Sequence, residues 1–206
     1  MLDTLLRAKL HRPAPAPSAL RRPRLLRRLD EGLSCKMTLV SAPAGFGKST
    51  LVSSWIDTLL APAPVRKVSW LSLDEADDQL PRFLRYLAAA IEEHFPQSCQ
   101  PVTIVLQEKP PPTVEILADL LVDRLSLLPE QLVLVLDDLH LINDAAVYLF
   151  LTRLIQHAPA QFHLVLITRV DPPLPLSRWR AQGRMNELRH HDLGFNLDET
   201  DAFLQA

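Results

Sequence analysis

The sequence predicts an α/β fold: a mostly parallel central sheet with helices packed on both faces. Three observations carry this. Short apolar runs of strand length alternate with longer stretches whose apolar residues recur every three to four positions. One run, Leu132 to Leu136, is apolar at every position, as a strand covered on both faces requires. A glycine-bearing loop joins the first apolar run to an amphipathic helix.

The elements follow in order. Met37 to Val40 reads as the first strand, ending in the loop Ser41-Ala42-Pro43-Ala44-Gly45-Phe46-Gly47. Leu51, Val52, Trp55, Ile56, Leu59 and Leu60 then fall on one helical face. Val68 to Leu73 reads as a second strand running into acidic Asp74 to Asp78, expected to be a solvated loop. Pro81 suits the first turn of a helix carrying Phe83, Leu84, Leu87, Ile91 and Phe95. The triple proline at 110–112 is read as a turn, and Thr113 as the N-cap of a helix bearing Leu117, Leu121, Leu125 and Leu128.

The strand at Leu132 to Leu136 stops at Asp137-Asp138, and a helix is expected near Asn143 to His157. Phe162 to Ile167 forms the next strand and ends in Thr168-Arg169, after which Pro172, Pro173 and Pro175 break the chain. The remainder offers a short helix near Leu176 to Gln182, a weak strand near Asn186 to Leu188, and a helix opened by a capping box of Asn196 and Glu199. Two turns end at Ala206, too few for a helix to stand alone. The expectation is therefore a fragment of a longer protein. Trp55, Trp70 and Trp179 fall within elements and are expected in the core.

Composition excludes several classes. The 206 residues hold 22 Lys and Arg against 24 Asp and Glu, a balance that gives DNA binding by this chain no support. Apolar runs are shorter than a membrane span and the N-terminus lacks the core of a secretion signal, so a cytoplasmic location without membrane contact is expected. Cys35 and Cys99 are too few for a disulfide framework and are expected to be buried free thiols. The basic stretch Arg21-Arg22-Pro23-Arg24-Leu25-Leu26-Arg27-Arg28-Leu29 resembles a nucleic-acid tail at first, yet Leu25, Leu26 and Leu29 keep helical spacing. A helix docked on the core with solvated arginines is the favoured reading, leaving Leu20 to Pro23 able to touch a base or a phosphate.

The strongest chemical signal is Ala42-Pro43-Ala44-Gly45-Phe46-Gly47-Lys48-Ser49, a match to the A/G-x-x-x-x-G-K-S phosphate loop. Lying between a strand and a helix, it would turn its N–H groups and the helix N-terminus toward a polyphosphate. Lys48 would reach the β and γ phosphates, and the Ser49 hydroxyl would coordinate Mg2+. Phe46 either lies over a bound nucleotide or is an exposed loop aromatic without a role. Asp137, at the carboxyl end of a buried strand, would hold the Mg2+ through water, and Asp138 would orient or deprotonate the attacking water. Arg169 either contacts the γ-phosphate or pairs with Asp171. His140 either pairs with a carboxylate or phosphate or is a hydrogen-bonded residue at a helix start.

With these elements in sequence, the chain resembles the ATP-binding domain of MalT-like, large LuxR-family transcriptional regulators, members of the STAND class of signalling P-loop ATPases. The resemblance rests on Arg22-Pro23-Arg24-Leu25-Leu26, on Ser41 to Thr50, on Leu136-Asp137-Asp138-Leu139-His140, and on Ile167 to Leu176. It implies a three-layer α/β/α P-loop NTPase with strand order 5-1-4-3-2, so that the Thr168-Arg169 strand lies between the other two site strands. It also implies a basic N-terminal helical arm over 1–30 docked on a core at 31–195, with a truncated lid helical domain starting at 196–206.

The implied cofactors are ATP or ADP with Mg2+. The implied nucleotide-contacting set is Pro43, Ala44, Gly45, Phe46, Gly47, Lys48, Ser49 and Thr50, joined by Arg22 and Pro23. The implied activity is a slow Mg2+-dependent ATPase acting as a switch, with the ATP or ADP state controlling self-association or contacts to a C-terminal sensor, and DNA bound by a C-terminal helix-turn-helix outside this chain. Ala42 replaces the usual first glycine, and Asp138 stands where many related ATPases carry Glu. The alternative is a stand-alone small-molecule kinase using the same loop. No Asn-Lys-x-Asp guanine signature occurs, so adenine is the expected base.

Overall fold

Four apolar runs and the more polar Met185–Arg189 become the strands of one sheet, and the amphipathic stretches between them become its two helical layers. The computed structural model describes residues 5–15, 20–60 and 66–204, the side chain of residue 203 excepted. Of the expected arm over 1–30, residues 1–4 and 16–19 lie outside the described residues, as do 205–206 of the expected lid helix. In chain order the elements are α1 (Pro23–Gly32), β1 (Met37–Ser41), α2 (Lys48–Leu59), β2 (Arg66–Ser72), α3 (Leu80–Glu92), α4 (Gln100–Val105) and α5 (Val114–Ser126). They continue with β3 (Gln131–Asp137), α6 (Ala145–His157), β4 (Phe162–Thr168), α7 (Leu176–Ala181), β5 (Met185–Arg189), α8 (His190–Leu193) and α9 (Leu197–Leu204).

The strand order is β2-β3-β4-β1-β5, the order expected, and every pairing is parallel. Register aligns the carboxyl ends: Ser41 stands beside Thr168 and Arg189, and Ser72 beside Asp137. Strand side chains alternate between faces, and the sequence uses this with consistency. Leu132, Leu134, Leu136, Leu164 and Leu166 enter the core under α3, α5 and α6. Val133, Val135, Val165 and Ile167 enter the opposite core, under α1, α2 and α8. Trp55, Trp70 and Trp179 are buried as expected. Among the described residues, no helix is long and apolar enough to cross a membrane.

Several expectations need correction. Asp74 to Asp78 is solvated only in part: Asp74, Glu75 and Ala76 are exposed, but Asp77 is fully buried and pairs with Lys9 and, at 3.2 Å, with Arg82. Asp78 accepts the N–H groups of Asn143 and Asp144 at 2.6 Å, fixing the approach to α6. A buried charge needs a partner, and Lys9, which pairs with Asp77, lies 68 positions away, beyond a local reading of the charge run. α4 was not anticipated, because it spans six residues with Val102 as its buried contact. Thr113 stands at the N-cap of α5 without a side-chain capping bond. Leu128 and Phe95 lie past the ends of their helices, although both pack on the core. Cys99 is buried, and burial pushes its thiol up to about 11, whereas Cys35 is half-buried.

The arm docks as a helix, with Leu25 and Leu29 fully buried, but its arginines are not all solvated. Arg28 pairs with Asp192 and donates to the Glu187 carbonyl at 2.8 Å, and Arg24 donates to the Asp192 carbonyl at 2.9 Å. Upstream, a 3-10 turn at Arg7–Leu10 lies against β2, the outermost strand on one side. On the opposite rim, β5 carries Glu187 between Arg180 and Arg189 in ion pairs.

Where α1 meets the sheet, Gly32 leaves no room: a Cβ there would fall 2.6 Å from Thr38 Oγ1 and closer still to the Asn186 amide. Thr38 cannot yield easily, since its buried hydroxyl is 3.1 Å from His163 Nε2, an imidazole held neutral by burial with its pKa near 4. Gly32→Ala is therefore expected to destabilise the fold by about 2 kcal/mol through overpacking. Urea unfolding measures this, and a loss below about 0.5 kcal/mol would show that the contact relaxes freely.

Candidate functional site

The site begins where β1 ends. After Ser41 the chain must turn sharply to enter α2 at Lys48, and it does so through Gly45 at φ +84° and Gly47 at φ +69°. Both are left-handed conformations that favour glycine. A Cβ at either would meet nothing within 4 Å, so the backbone path and not crowding demands glycine. None of the N–H groups of residues 44–47 donates to an acceptor among the described residues, and the first amide at the start of α2 to find one is Leu51, on the Gly47 carbonyl at 2.8 Å. A row of unpaired donors thus converges at the positive end of a helix, the arrangement that accepts an anion.

Lys48 is buried, with its Nζ donating to the Pro43 carbonyl at 2.9 Å across the mouth of the loop. Burial lowers its pKa, the like charge of Arg169 adds to that, and Asp138 and Asp137 oppose it. Ser49 donates its hydroxyl proton to Asp137 Oδ1 at 3.0 Å, joining the loop to the end of β3. The same oxygen accepts the Asp138 N–H at 3.0 Å. Burial pushes the Asp137 carboxyl up to about 6, with Asp138 adding and the Ser49 bond opposing. Asp138 adopts φ +59°, a left-handed conformation that aspartate tolerates better than most residues. Its side chain is 44% exposed, toward solvent beyond the strand end.

His140 lies in a 3-10 turn, and its buried Nδ1 has no hydrogen-bond partner. Asp138 Oδ1 is 3.8 Å away, beyond bonding distance. The hydrogen-bonded helix-start reading is thereby corrected. Burial lowers its pKa, which favours the neutral imidazole. Arg169 is exposed just past β4. It does not pair with Asp171, which is taken instead by Arg189 and by the Ser41 hydroxyl at 3.3 Å.

Beside the loop opens a cleft of about 630 Å³. Ala44, Gly45, Phe46, Gly47 and Thr50 form one wall, and Leu20, Arg22, Leu26 and Leu193 to Phe195 form the other. Phe46 is 37% exposed on that cleft. Pro43 sits at the loop's entrance, and Pro23 is exposed at the first turn of α1, outside the cleft lining. The wall at 193–195 was missed in the sequence. About 150 positions separate it from the loop, and Gly194 beside an aromatic was the only local hint.

The AAA ATPase domain family matches residues 22–167, a span that takes in the phosphate loop and the Asp137-Asp138 pair. The chain belongs to the AAA ATPase domain family. Within it, the chain is 33% identical over 202 residues to the HTH-type transcriptional regulator MalT of Yersinia enterocolitica, covering 98% of this chain and 22% of that protein. It is 32% identical to MalT of Yersinia pestis with the same coverage. The domain thus spans about a fifth of the length of these curated relatives. In fold it resembles a STAND protein with a tetratricopeptide repeat sensor from Pyrococcus horikoshii, at a TM-score of 0.64 and 12% identity over 94% of this chain and 26% of that one. A Walker-type ATPase of Pyrococcus abyssi matches at 0.53 and 16% identity, over 94% of this chain and 59% of that one.

The family implies a divalent cation with the nucleotide. Among the described residues, no group of three His, Cys, Asp or Glu side chains could cage a metal. The Ser49–Asp137 pair nevertheless fits Mg2+, which keeps most of its waters and takes few protein oxygens.

The raised carboxyl gives a signed expectation. Native Asp137 holds its proton up to about pH 6 while the unfolded carboxyl releases it near 3.8, so its contribution to stability is present below 3.8 and is lost as pH rises through 6. Asp137→Asn, neutral throughout, should gain about 2 kcal/mol relative to the parent between pH 4 and pH 7.5. Urea unfolding at the two pH values tests this; an equal difference at both would refute the shift.

Proposed function

We propose that the chain is an ATP-binding, slowly hydrolysing switch domain of a signal-responsive transcriptional regulator, in which the ATP or ADP state governs self-association or contact with a sensor region. One observation carries the reading: the unpaired amides of residues 44–47 lead into α2 beside Lys48 and the Ser49–Asp137 pair. Such a nest holds a polyphosphate, and Lys48, released from the Pro43 carbonyl, supplies the positive charge at its β and γ groups. Pro43 to Thr50 would line the phosphates. Ser49 and Asp137 would hold Mg2+, which when bound neutralises phosphate charge. Asp137 meets that cation ionised above pH 6, and a cation relieves the desolvation that raises its pKa.

Asp138 would orient the attacking water or accept its proton, a role supported by its exposed side chain next to Asp137. Its arm is one methylene shorter than glutamate, which supports slow turnover. Arg169, exposed and unpaired with Asp171, is free to read the γ-phosphate, the group that distinguishes ATP from ADP. A switch requires the two nucleotides to favour different conformations, and a γ-phosphate contact supplies that difference. DNA recognition, which the relatives' names carry, belongs to segments outside the matched span, consistent with the balanced charge here. The domain acts in the cytoplasm, where ATP and promoters are available.

Calorimetry with ATP and Mg2+ tests the reading. Lys48→Ala should weaken binding about 10- to 100-fold, the worth of one charge-assisted hydrogen bond; an unchanged affinity would remove the loop from its role. Asp138→Asn should keep ATP affinity within about twofold while slowing phosphate release at least about tenfold, a modest share of what a general base supplies. Undiminished turnover would clear Asp138 of that part.

A further inference from the structure

Arg22 is a charged side chain committed wholly to the protein. It is 7% exposed, immediately before α1. Its Nε and Nη2 donate to the two carboxylate oxygens of Glu199 at 3.2 and 2.9 Å. Nη1 donates to the Leu193 carbonyl at 2.8 Å, and Nη2 also to the Gly194 carbonyl at 2.9 Å. The guanidinium plane lies over the Phe195 ring, 4.9 Å from its centre. One fork therefore grips the far wall of the cleft and the first turn of α9 together, a geometry that lysine cannot reproduce.

α9 depends on that grip. Glu199 is its buried side chain among those described, while Leu197 and Leu204 are 84% and 77% exposed. Glu199 is aimed by a reciprocal cap: Asn196 N–H donates to its carboxylate at 3.0 Å, and its own N–H donates to Asn196 Oδ1 at 2.8 Å. Arg24 adds a second, looser cation at 3.6 Å. The wall residues and the helix thus share one anchor, and the wall also borders the phosphate loop across the cleft.

We propose that the Arg22–Glu199 pair is a latch coupling nucleotide occupancy of the cleft to the docking of α9, with Arg22 acting as a positioning residue. The inference rests on the nucleotide reading above. A ligand seated against the wall at 193–195 holds its carbonyls on Arg22, and Arg22 so held keeps Glu199 docked; undocking α9 loosens the wall and the ligand with it. Coupling of this kind is reciprocal: whatever factor the ligand adds to docking, docking adds to ligand affinity.

The test uses the whole chain, ADP with Mg2+ as the probe, calorimetry for affinity and hydrogen–deuterium exchange for local opening. In the parent, ADP should slow exchange in residues 193–204 as well as in 44–51. Glu199→Gln should speed exchange in 193–204 several-fold, leave β1, β3 and β4 protected, and weaken ADP binding by about fivefold or more, the lower range of such couplings. The sign is decisive. Removing a negative charge beside an anion site would by itself tighten ADP, so unchanged or tighter binding overturns the latch. Arg22→Lys should reproduce both effects; weakened ADP in Arg22→Lys alone, with Glu199→Gln like the parent, would make Arg22 a direct ligand contact and overturn the latch. If ADP fails to protect 44–51 in the parent, the nucleotide reading falls and the latch with it. If ADP protects 44–51 but Glu199→Gln changes nothing, only the latch falls.

Discussion

The site depends on the parallel register of the sheet. Because every strand runs the same way, the carboxyl ends of β1, β3, β4 and β5 lie along one edge, and Ser41, Asp137, Thr168 and Arg189 are delivered there together. The chemistry-bearing segments follow those ends: the glycine loop after β1, the acidic pair at the end of β3, and Arg169 after β4. A slip of one residue in β3 would turn Asp137 to the other face, and the Ser49 bond would be lost. The alternation of Leu and Val along Leu132 to Leu136 guards against that slip, since each residue type fills a different core.

At that edge the protein keeps opposite charges only partly solvated. Burial depresses Lys48 and raises Asp137, so each is biased toward its neutral form. Desolvated charges of both signs are costly to hold and respond strongly to a counter-charge. An anion at the loop amides would favour the charged ammonium, and a cation at the Ser49–Asp137 pair would favour the carboxylate. The family membership and this electrostatic poise are independent observations, one from sequence likeness and one from geometry.

Much of the fold was legible because the information was local. β1 to β4 are built on short apolar runs bounded by polar or turn residues, while β5 reads weakly because Asn186, Glu187 and Arg189 interrupt it; Asn196 with Glu199 spelled out the cap that forms. The phosphate loop was readable for the same reason, since Gly45, Gly47, Lys48 and Ser49 lie within five positions. What stayed hidden involves partners far along the chain. Arg22 meets Glu199 177 positions away, and Lys9 meets Asp77 68 away, so arginines and aspartates that read as solvent-facing are in fact buried pairs. His140 misled differently: its place at a turn after Asp138 suggested a bonded imidazole, and only the 3.8 Å separation reveals an unmatched nitrogen.

The two rims of the sheet have a consequence for how copies of the chain can meet. The outer strand β2 has the turn at Arg7–Leu10 lying against it, and β5 is lined by Arg180, Glu187 and Arg189 in mutual ion pairs. Neither is the flat apolar ribbon on which a neighbouring molecule adds a strand. Continuous intermolecular sheets across these two rims are thus disfavoured, which leaves helix and loop surfaces, able to rearrange without tearing backbone ladders apart, for any contact between copies of this domain.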